Sequence, residues 1–435
     1  MKINGFSKYR ETGILIMALF VFIIIMTVLL CLDYLVNRQI ITPFSLITIP
    51  YMVIYLVNNL IAVRFGFYRI EADTIYMHIV ALGLFFIGGN VFSFDVRQEH
   101  SHNELLPCVD KFSLYNMPAM LKISIIFEMI IMAKFIISII KYGLSWFVDD
   151  INEGYLMSGI SGHLLLTMYI FIPILFLYWL KNRKKIIYLI VAIVGMLLMF
   201  MTFVKYHLIC LVVLMFLFCV AEDKKYLKKG VIIVTILSCA IFSGSYLVTF
   251  FLRNTVSKVD NSFYLYHLWK YIGGSSINSN IIFDDGLHIE LDVFYKIGTM
   301  LFALPNMFIK VFSGNRICPS IGLPMYPVAS IGESSNVIDF IGFLYPSKGD
   351  LCDVFLWSMI MLYFGGIARI FFKNHLNRRA CFTLSTWVFM TFFCFFSFFA
   401  VYGILSSVWE ILTYSIIIPP IFSGQIKIGE YSLKI

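Results

Sequence analysis

Charge is what this chain has least of. Of its 435 residues only 13% are Asp, Glu, Lys or Arg, 60% are hydrophobic, and the mean hydropathy is +0.88. A water-soluble protein carries about 25% charged residues, so that class is excluded. No CxxC occurs among the nine cysteines, which removes the zinc-ribbon and dithiol redox patterns. Cys31, Cys210, Cys219, Cys239, Cys381 and Cys394 fall inside apolar runs, where a thiol behaves as a small hydrophobe. Cys318 and Cys352 share one polar stretch and read as lone thiols, a disulfide being open to them only in an oxidising compartment. The first apolar run, 13–36, lacks a small-residue cleavage site and is too long for a signal-peptide core, so it reads as a retained helix. No internal repeat of the inverted-transporter kind stands out.

What is present is a series of apolar runs of bilayer-crossing length. Eleven segments are expected to span: 13–36, 40–63, 74–94, 120–140, 162–180, 186–204, 206–221, 231–251, 353–372, 380–401 and 404–422. The net charge of +8 does not point to nucleic acid, because the basic residues cluster in short segments flanking these runs. Three clusters mark the cytoplasmic side: Lys181, Arg183, Lys184 and Lys185; Lys224, Lys225, Lys228 and Lys229; and Lys373, Arg378 and Arg379. Their parity agrees. It places Lys205, the acidic segment around Asp149, Asp150 and Glu153, and the stretch 253–350 outside. The sixth and seventh spans form one apolar run broken at Lys205, expected to be a tight hairpin turning there, and a second tight turn is expected at Tyr402 and Gly403. The N-terminal half does not close as neatly. Lys2, Lys8 and Arg10 call for the cytoplasm, whereas five spans before Lys181 place them outside. The second segment, with Pro43, Pro50, Asn58 and Asn59, and the fourth, with Lys122, Glu128 and Lys134, are the two whose crossing is in doubt.

Most of the polar chemistry lies in 253–350, where charged residues and histidines alternate with Tyr264, Tyr266, Trp269, Tyr271, Tyr295, Tyr326 and Tyr345. This stretch is too aromatic and too aliphatic to be disordered, and a loop of this length is usually functional. It reads as a folded extramembrane lid with a glycine- and serine-rich break at Gly273, Gly274, Ser275 and Ser276. Residues 299–312 are apolar but too short to span, and are expected on the membrane surface or dipping into it. The resulting architecture is an all-α polytopic membrane protein of about 11–12 transmembrane helices: an N-terminal bundle over 1–251, a large extracytoplasmic loop over 252–352, and C-terminal helices with a short tail over 353–435.

Three features together, covering about 162–422, resemble the bacterial oligosaccharide repeat-unit polymerases, the Wzy-type O-antigen polymerases. One is the hairpin with a basic residue at its turn, Thr202-Phe203-Val204-Lys205-Tyr206. Another is Lys270-Tyr271-Ile272-Gly273-Gly274, like the family's Tyr-Ile-x-Gly element. The third is Ser335-Asn336-Val337 followed by Tyr345-Pro346-Ser347-Lys348-Gly349-Asp350, like its Asn-Val…Tyr…Asp-x-Gly element. The chain departs from the pattern at Lys205, where many members carry arginine, and at Gly349-Asp350, where the acid and glycine are reversed.

The resemblance implies a GT-C-like multi-pass protein of the bacterial inner membrane. Its activity would be metal-independent glycosyl transfer without a cofactor, moving a growing glycan from undecaprenyl pyrophosphate onto an incoming lipid-linked repeat unit. The partners it implies are that donor and acceptor and membrane lipid, with a chain-length regulator and a flippase of the same pathway open and no nucleic acid. No DxD stands in the outer stretch, in agreement. Such chemistry needs fixed cations for the departing pyrophosphate and a base for the acceptor hydroxyl. Lys205, Arg253 and Arg316 are the candidate pyrophosphate ligands; Lys205 is the sharpest of them, with a snorkelling lysine as its alternative, while Arg253 reads equally as a helix-end anchor and Arg316 equally as half of an ion pair. His267 and Glu333 are the candidate bases, followed by His288 and Asp284, and Tyr271 and Asn336 the candidate sugar contacts. On a helix His267 and Tyr271 would share a face. His100 and His102 have a metal-like spacing without further ligands, and His78, His163 and His207 lie at or within spans. Competing classes are a lipid-linked oligosaccharide flippase, an O-antigen ligase and a membrane O-acyltransferase.

Overall fold

The computed structural model describes residues 4–91, 115–149, 152, 154–252, 261–280, 293–315, 317–318, 321–346, 351–376, 383–423, 425–428 and 431–434. The protein is mostly helical, and eight described helices are long and apolar enough to cross a membrane. The chain divides into two compact units, one of residues 1–98, 262–373 and 392–409, the other of 99–261, 374–391 and 410–435.

The first unit contains α1 (Asn4–Asn37), α2 (Pro43–Leu60) and α3 (Ala72–Val91). Thr42 caps α2 by accepting from the Ser45 amide, and the Ser45 hydroxyl takes the Thr42 amide in return. Asn58 and Asn59 are explained by the α2–α3 connection: Asn58 donates to the Tyr68 carbonyl, and Asn59 both donates to and accepts from Ile70. The polar stretch 253–350 supplies α9 (Asn261–Ile272), α10 (Gly274–Ser279), α11 (Val293–Leu301), α12 (Ala303–Ser313), the two-residue strands β1 (Tyr326–Pro327) and β2 (Ser334–Ser335), and α13 (Phe340–Leu344). Strands β1 and β2 pair antiparallel with Tyr326 opposite Ser335. The unit also holds most of α14 (Leu351–Leu376).

The expected break is confined to Gly273, which separates α9 from α10; the rest of the glycine- and serine-rich segment is helical. It opens helix α10, and all six residues of that helix are buried. Small side chains let neighbouring backbone come close: a Cβ on Gly274 would sit 3.3 Å from the Ser335 side chain. The polar groups find carbonyls there, with Asn278 donating to Ser335 and Val337 and Ser275 to Phe398. Its C-cap Asn280 accepts from the Glu71 amide and the Thr74 hydroxyl and donates to the Arg69 carbonyl. The expected surface segment 299–312 forms parts of α11 and α12, with Leu301, Phe302, Phe308 and Phe312 exposed.

The second unit contains α4 (Met117–Tyr142), α5 (Gly159–Lys181), α6 (Ile186–Phe200), α7 (Lys205–Glu222), α8 (Tyr226–Leu252), α15 (Thr383–Phe389) and α16 (Ser406–Ser423). Lys181 and Glu222, the last residues of α5 and α7, form an ion pair at 3.0 Å, so these two helices run parallel with α6 returning between them. At the same end the Arg183 guanidinium lies 4.2 Å from the Trp179 ring and Lys185 donates to the Tyr178 hydroxyl, the aromatic and basic mixture of a membrane interface. Two of the three charged residues of the fourth apolar run have partners. Lys134 donates to the Tyr155 and Ser158 carbonyls, and buried Glu128 accepts from Ser124. Both segments whose crossing was in doubt are thus among the eight long helices. Three of the eleven expected spans are shorter: Ile186–Phe200, Leu384–Phe398 and Ser406–Phe422. The second of these winds from α-helix through a π-helical turn at Met390–Cys394 into a 3-10 turn.

Glycine governs one crossing in the first unit. A Cβ on Gly88 of α3 would stand 1.9 Å from the Leu362 carbonyl of α14, and one on Gly365 would stand 2.0 Å from the Phe85 carbonyl. Backbone cannot yield as a side chain can. Gly88→Ala and Gly365→Ala should therefore each cost about 1–3 kcal/mol or more from overpacking, read as a lower melting temperature in detergent. Gly83→Ala in the same helix meets nothing within 4 Å and should be neutral or slightly stabilising.

Candidate functional site

In the first unit the polar residues form a half-exposed layer above a buried one. Helix α9 places His267 and Tyr271 on one face, their rings 5.3 Å apart. Lys270 beside them reaches Glu333 at 3.1 Å. Glu333 leads into β2, and its carbonyl accepts from the Val328 and Ala329 amides, closing a turn that includes Gly332 at φ +89°. Ser330 and Tyr68 bind this hairpin to the α2–α3 connection through Gly66 and Val328. Trp269 donates to Asn58. Asn336 is exposed directly after β2. The structure thus brings His267, Tyr271, Glu333 and Asn336 into one unit, with Glu333 engaged by a lysine. Lys296 is buried and donates to the Tyr345 carbonyl.

Beneath lies Asp339, fully buried. Its carboxylate takes the Gly342 amide at 2.8 Å as the N-cap of α13, the Ser279 hydroxyl at 2.5 Å, His78 Nε2 at 3.1 Å and the Tyr51 hydroxyl at 3.3 Å. The protonation of the pair follows from its neighbours. His78 Nδ1 faces the Thr74 carbonyl at 2.8 Å, which only accepts, so Nδ1 carries hydrogen. Nε2 then faces a carboxylate oxygen, and that contact requires a second proton between them. The two groups therefore hold one shared proton in the centre of the unit. Nothing in the local sequence signals this pairing, which joins residues 261 positions apart.

In the second unit the hairpin does not turn at Lys205. The turn is Met201–Val204, and Lys205 is the first residue of α7. Phe203 carries it at φ +58°, a left-handed conformation that costs a residue with a Cβ about 1–2 kcal/mol. Burial holds it there: Phe203 packs with Phe135 and Leu156, ringed by Ile139, Trp146, Tyr155, Val248 and Leu252. No side chain caps α7. The Lys205 ammonium lies 4.3 Å from the Tyr246 ring of α8. An open apolar cavity of about 410 Å³ is lined by Leu144, Met201, Phe203, Leu247, Val248, Phe251 and Leu252, two of which, Met201 and Phe203, belong to the turn that precedes Lys205. One turn into α7, His207 Nδ1 lies 3.0 Å from the buried Tyr169 hydroxyl, which donates to the His207 carbonyl.

The remaining candidates, Arg253, Arg316, Asp284 and His288, lie outside the described residues, as do His100, His102 and Asp350. Among the described residues no group of three His, Cys, Asp or Glu could hold a metal, and Cys318 and Cys352 are free thiols.

Two substitutions test these sites. Asp339→Ala removes the buried partner of His78 and a helix cap, leaving Ser279 and Tyr51 only the Ser275 and Ser397 carbonyls, so it should cost about 3–5 kcal/mol, seen as loss of monodisperse protein or a sharply lower melting temperature. Phe203→Gly relieves the backbone but empties the aromatic cluster, whose burial contributes about 3–5 kcal/mol; the expected net effect is destabilisation, and a raised melting temperature would show that strain dominates. No family model, no curated protein and no solved structure matches the chain.

Proposed function

We propose that this protein polymerises undecaprenyl-pyrophosphate-linked oligosaccharide repeat units into O-antigen or capsular polysaccharide on the outer side of a bacterial inner membrane. The observation that carries this reading is Lys205. A cation in the first turn of an uncapped helix, directly after a turn whose Met201 and Phe203 line an open cavity of seven apolar side chains, suits an amphiphile with a phosphate head and a hydrocarbon tail. Helix N-termini favour phosphate through their unpaired amides and dipole. The lysine adds a point charge where negative charge grows as the bond from sugar to pyrophosphate breaks. Lysine gives up the bidentate fork that arginine offers and acts as a point charge aided by the positive end of the α7 dipole. Arg253 and Arg316 are further cations proposed for the same group. Tyr271 and Asn336 are proposed to hydrogen-bond sugar hydroxyls, and His267 and Glu333 remain proposed proton acceptors.

One observation favours a competitor. The shared proton between His78 and Asp339 is a feature that a proton-coupled flippase for lipid-linked oligosaccharides would use. Deleting the gene distinguishes the two. Loss of the surface-glycan ladder with a single repeat unit retained supports polymerisation; loss of every unit points to the flippase or to a ligase.

Lys205→Ala should reduce ladder formation by about 10²–10³-fold, the loss expected on removing a donor to a charged transition state, while the protein still inserts at wild-type levels. Lys205→Arg should retain the ladder. Normal ladders from Lys205→Ala would remove the phosphate assignment.

A further inference from the structure

Helix α5 carries a histidine that no motif selects. His163 lies one turn inside the N-terminal end of α5, and its Nδ1 is 2.7 Å from Glu410 Oε1 of α16. The same Glu410 oxygen accepts the Tyr414 hydroxyl at 2.5 Å. Exposure separates the partners: the Glu410 side chain is 6% exposed and that of His163 is 49% exposed. Glu410 takes two donors, so Nδ1 carries the hydrogen and the lone pair is on Nε2. Nε2 has no hydrogen-bond partner among the described residues. A buried carboxylate behind an imidazole fixes its tautomer and stabilises the imidazolium formed when the outer nitrogen accepts a proton.

Its place in the second unit matters as much. Helices α5 and α7 run parallel, as the ion pair at their C-terminal ends requires, so His163 and Lys205 belong to the same end of the bundle. Tyr169 and His207 tie the two helices together. His163 is six residues before Tyr169, ~9 Å along the axis, and Lys205 two residues before His207, ~3 Å.

We propose that His163 and Glu410, in place of His267 and Glu333, form the proton-accepting dyad of this reaction, acting on a sugar hydroxyl while Lys205 holds the lipid diphosphate. The proposal rests on the reading of function above. The hydroxyl O–H bond breaks and its proton goes to His163 Nε2. The oxygen forms a bond to the anomeric carbon of the donor, and the bond from that carbon to the diphosphate oxygen breaks with its electron pair leaving on the lipid diphosphate. The imidazolium returns its proton to the departing diphosphate or to water.

The test is complementation of a deletion strain with His163→Ala and Glu410→Gln, followed by assay of membranes from those cells with and without added imidazole. His163→Ala should lower polymer formation ~10²–10⁴-fold, as loss of a general base does, at normal protein level, and imidazole should restore part of it. Glu410→Gln should show a smaller loss, because an amide oxygen still accepts from Nδ1 and Tyr414. An intact ladder from His163→Ala, in a strain whose deletion loses the ladder, overturns the dyad and leaves the function standing. An inactive His163→Ala that imidazole does not rescue assigns the residue a structural role and also overturns it. A deletion strain with an unaltered ladder sinks the functional reading and the dyad with it.

Discussion

Four donors converge on one carboxylate in the first unit, and the arrangement of that unit depends on it. Asp339 receives α3 through His78, α10 through Ser279, α2 through Tyr51 and its own helix through Gly342. An ionised carboxylate far from water is tolerable only when its oxygens are saturated with hydrogen bonds. Each of these elements must therefore stand in one place, and with them the hairpin that carries Glu333 and Asn336. Helix α10 serves the same constraint from the other side. Its serines and asparagines satisfy carbonyls of β2, of the segment after it and of Phe398, work that apolar side chains cannot do.

The second unit is organised differently, around surfaces that stay open. Lys205 sits where a left-handed aromatic residue has just reversed the chain, and the aromatic cluster under Phe203 keeps that reversal in register. The apolar cavity beside it and the imidazole of His163 present hydrocarbon-compatible surface and a basic nitrogen at the end of the bundle where α5 and α7 begin. Buried polar saturation in one unit and accessible cation, base and groove in the other are complementary demands on a chain so poor in charge.

Much of the architecture was legible in the residues. Apolar runs of bilayer length predicted the long helices, because hydrocarbon forces the backbone to satisfy itself internally. The i, i+4 spacing of His267 and Tyr271 foretold their shared face. Other readings failed for physical reasons. The break at Gly273 is real. Gly274 to Ser276 looked like its continuation because glycine and serine disfavour isolated helices, yet in a crowded core their small size is what admits neighbouring backbone. Lys205 looked like the turn because it interrupts hydrophobicity, whereas the turn is made by the apolar Phe203, whose positive φ no pattern announces. His163 was passed over as a span residue, since its partner lies 247 positions away.

Composition and periodicity by themselves determined that this chain crosses membranes repeatedly, and which residues are scarce enough to carry chemistry, because transfer of apolar side chains from water is a local, additive property. Tertiary structure alone decided which of those residues meet. The proton between His78 and Asp339, the ion pair of Lys270 with Glu333 and the carboxylate behind His163 each join residues distant in the chain, and the energy of a buried polar contact exists only once both partners have been desolvated together.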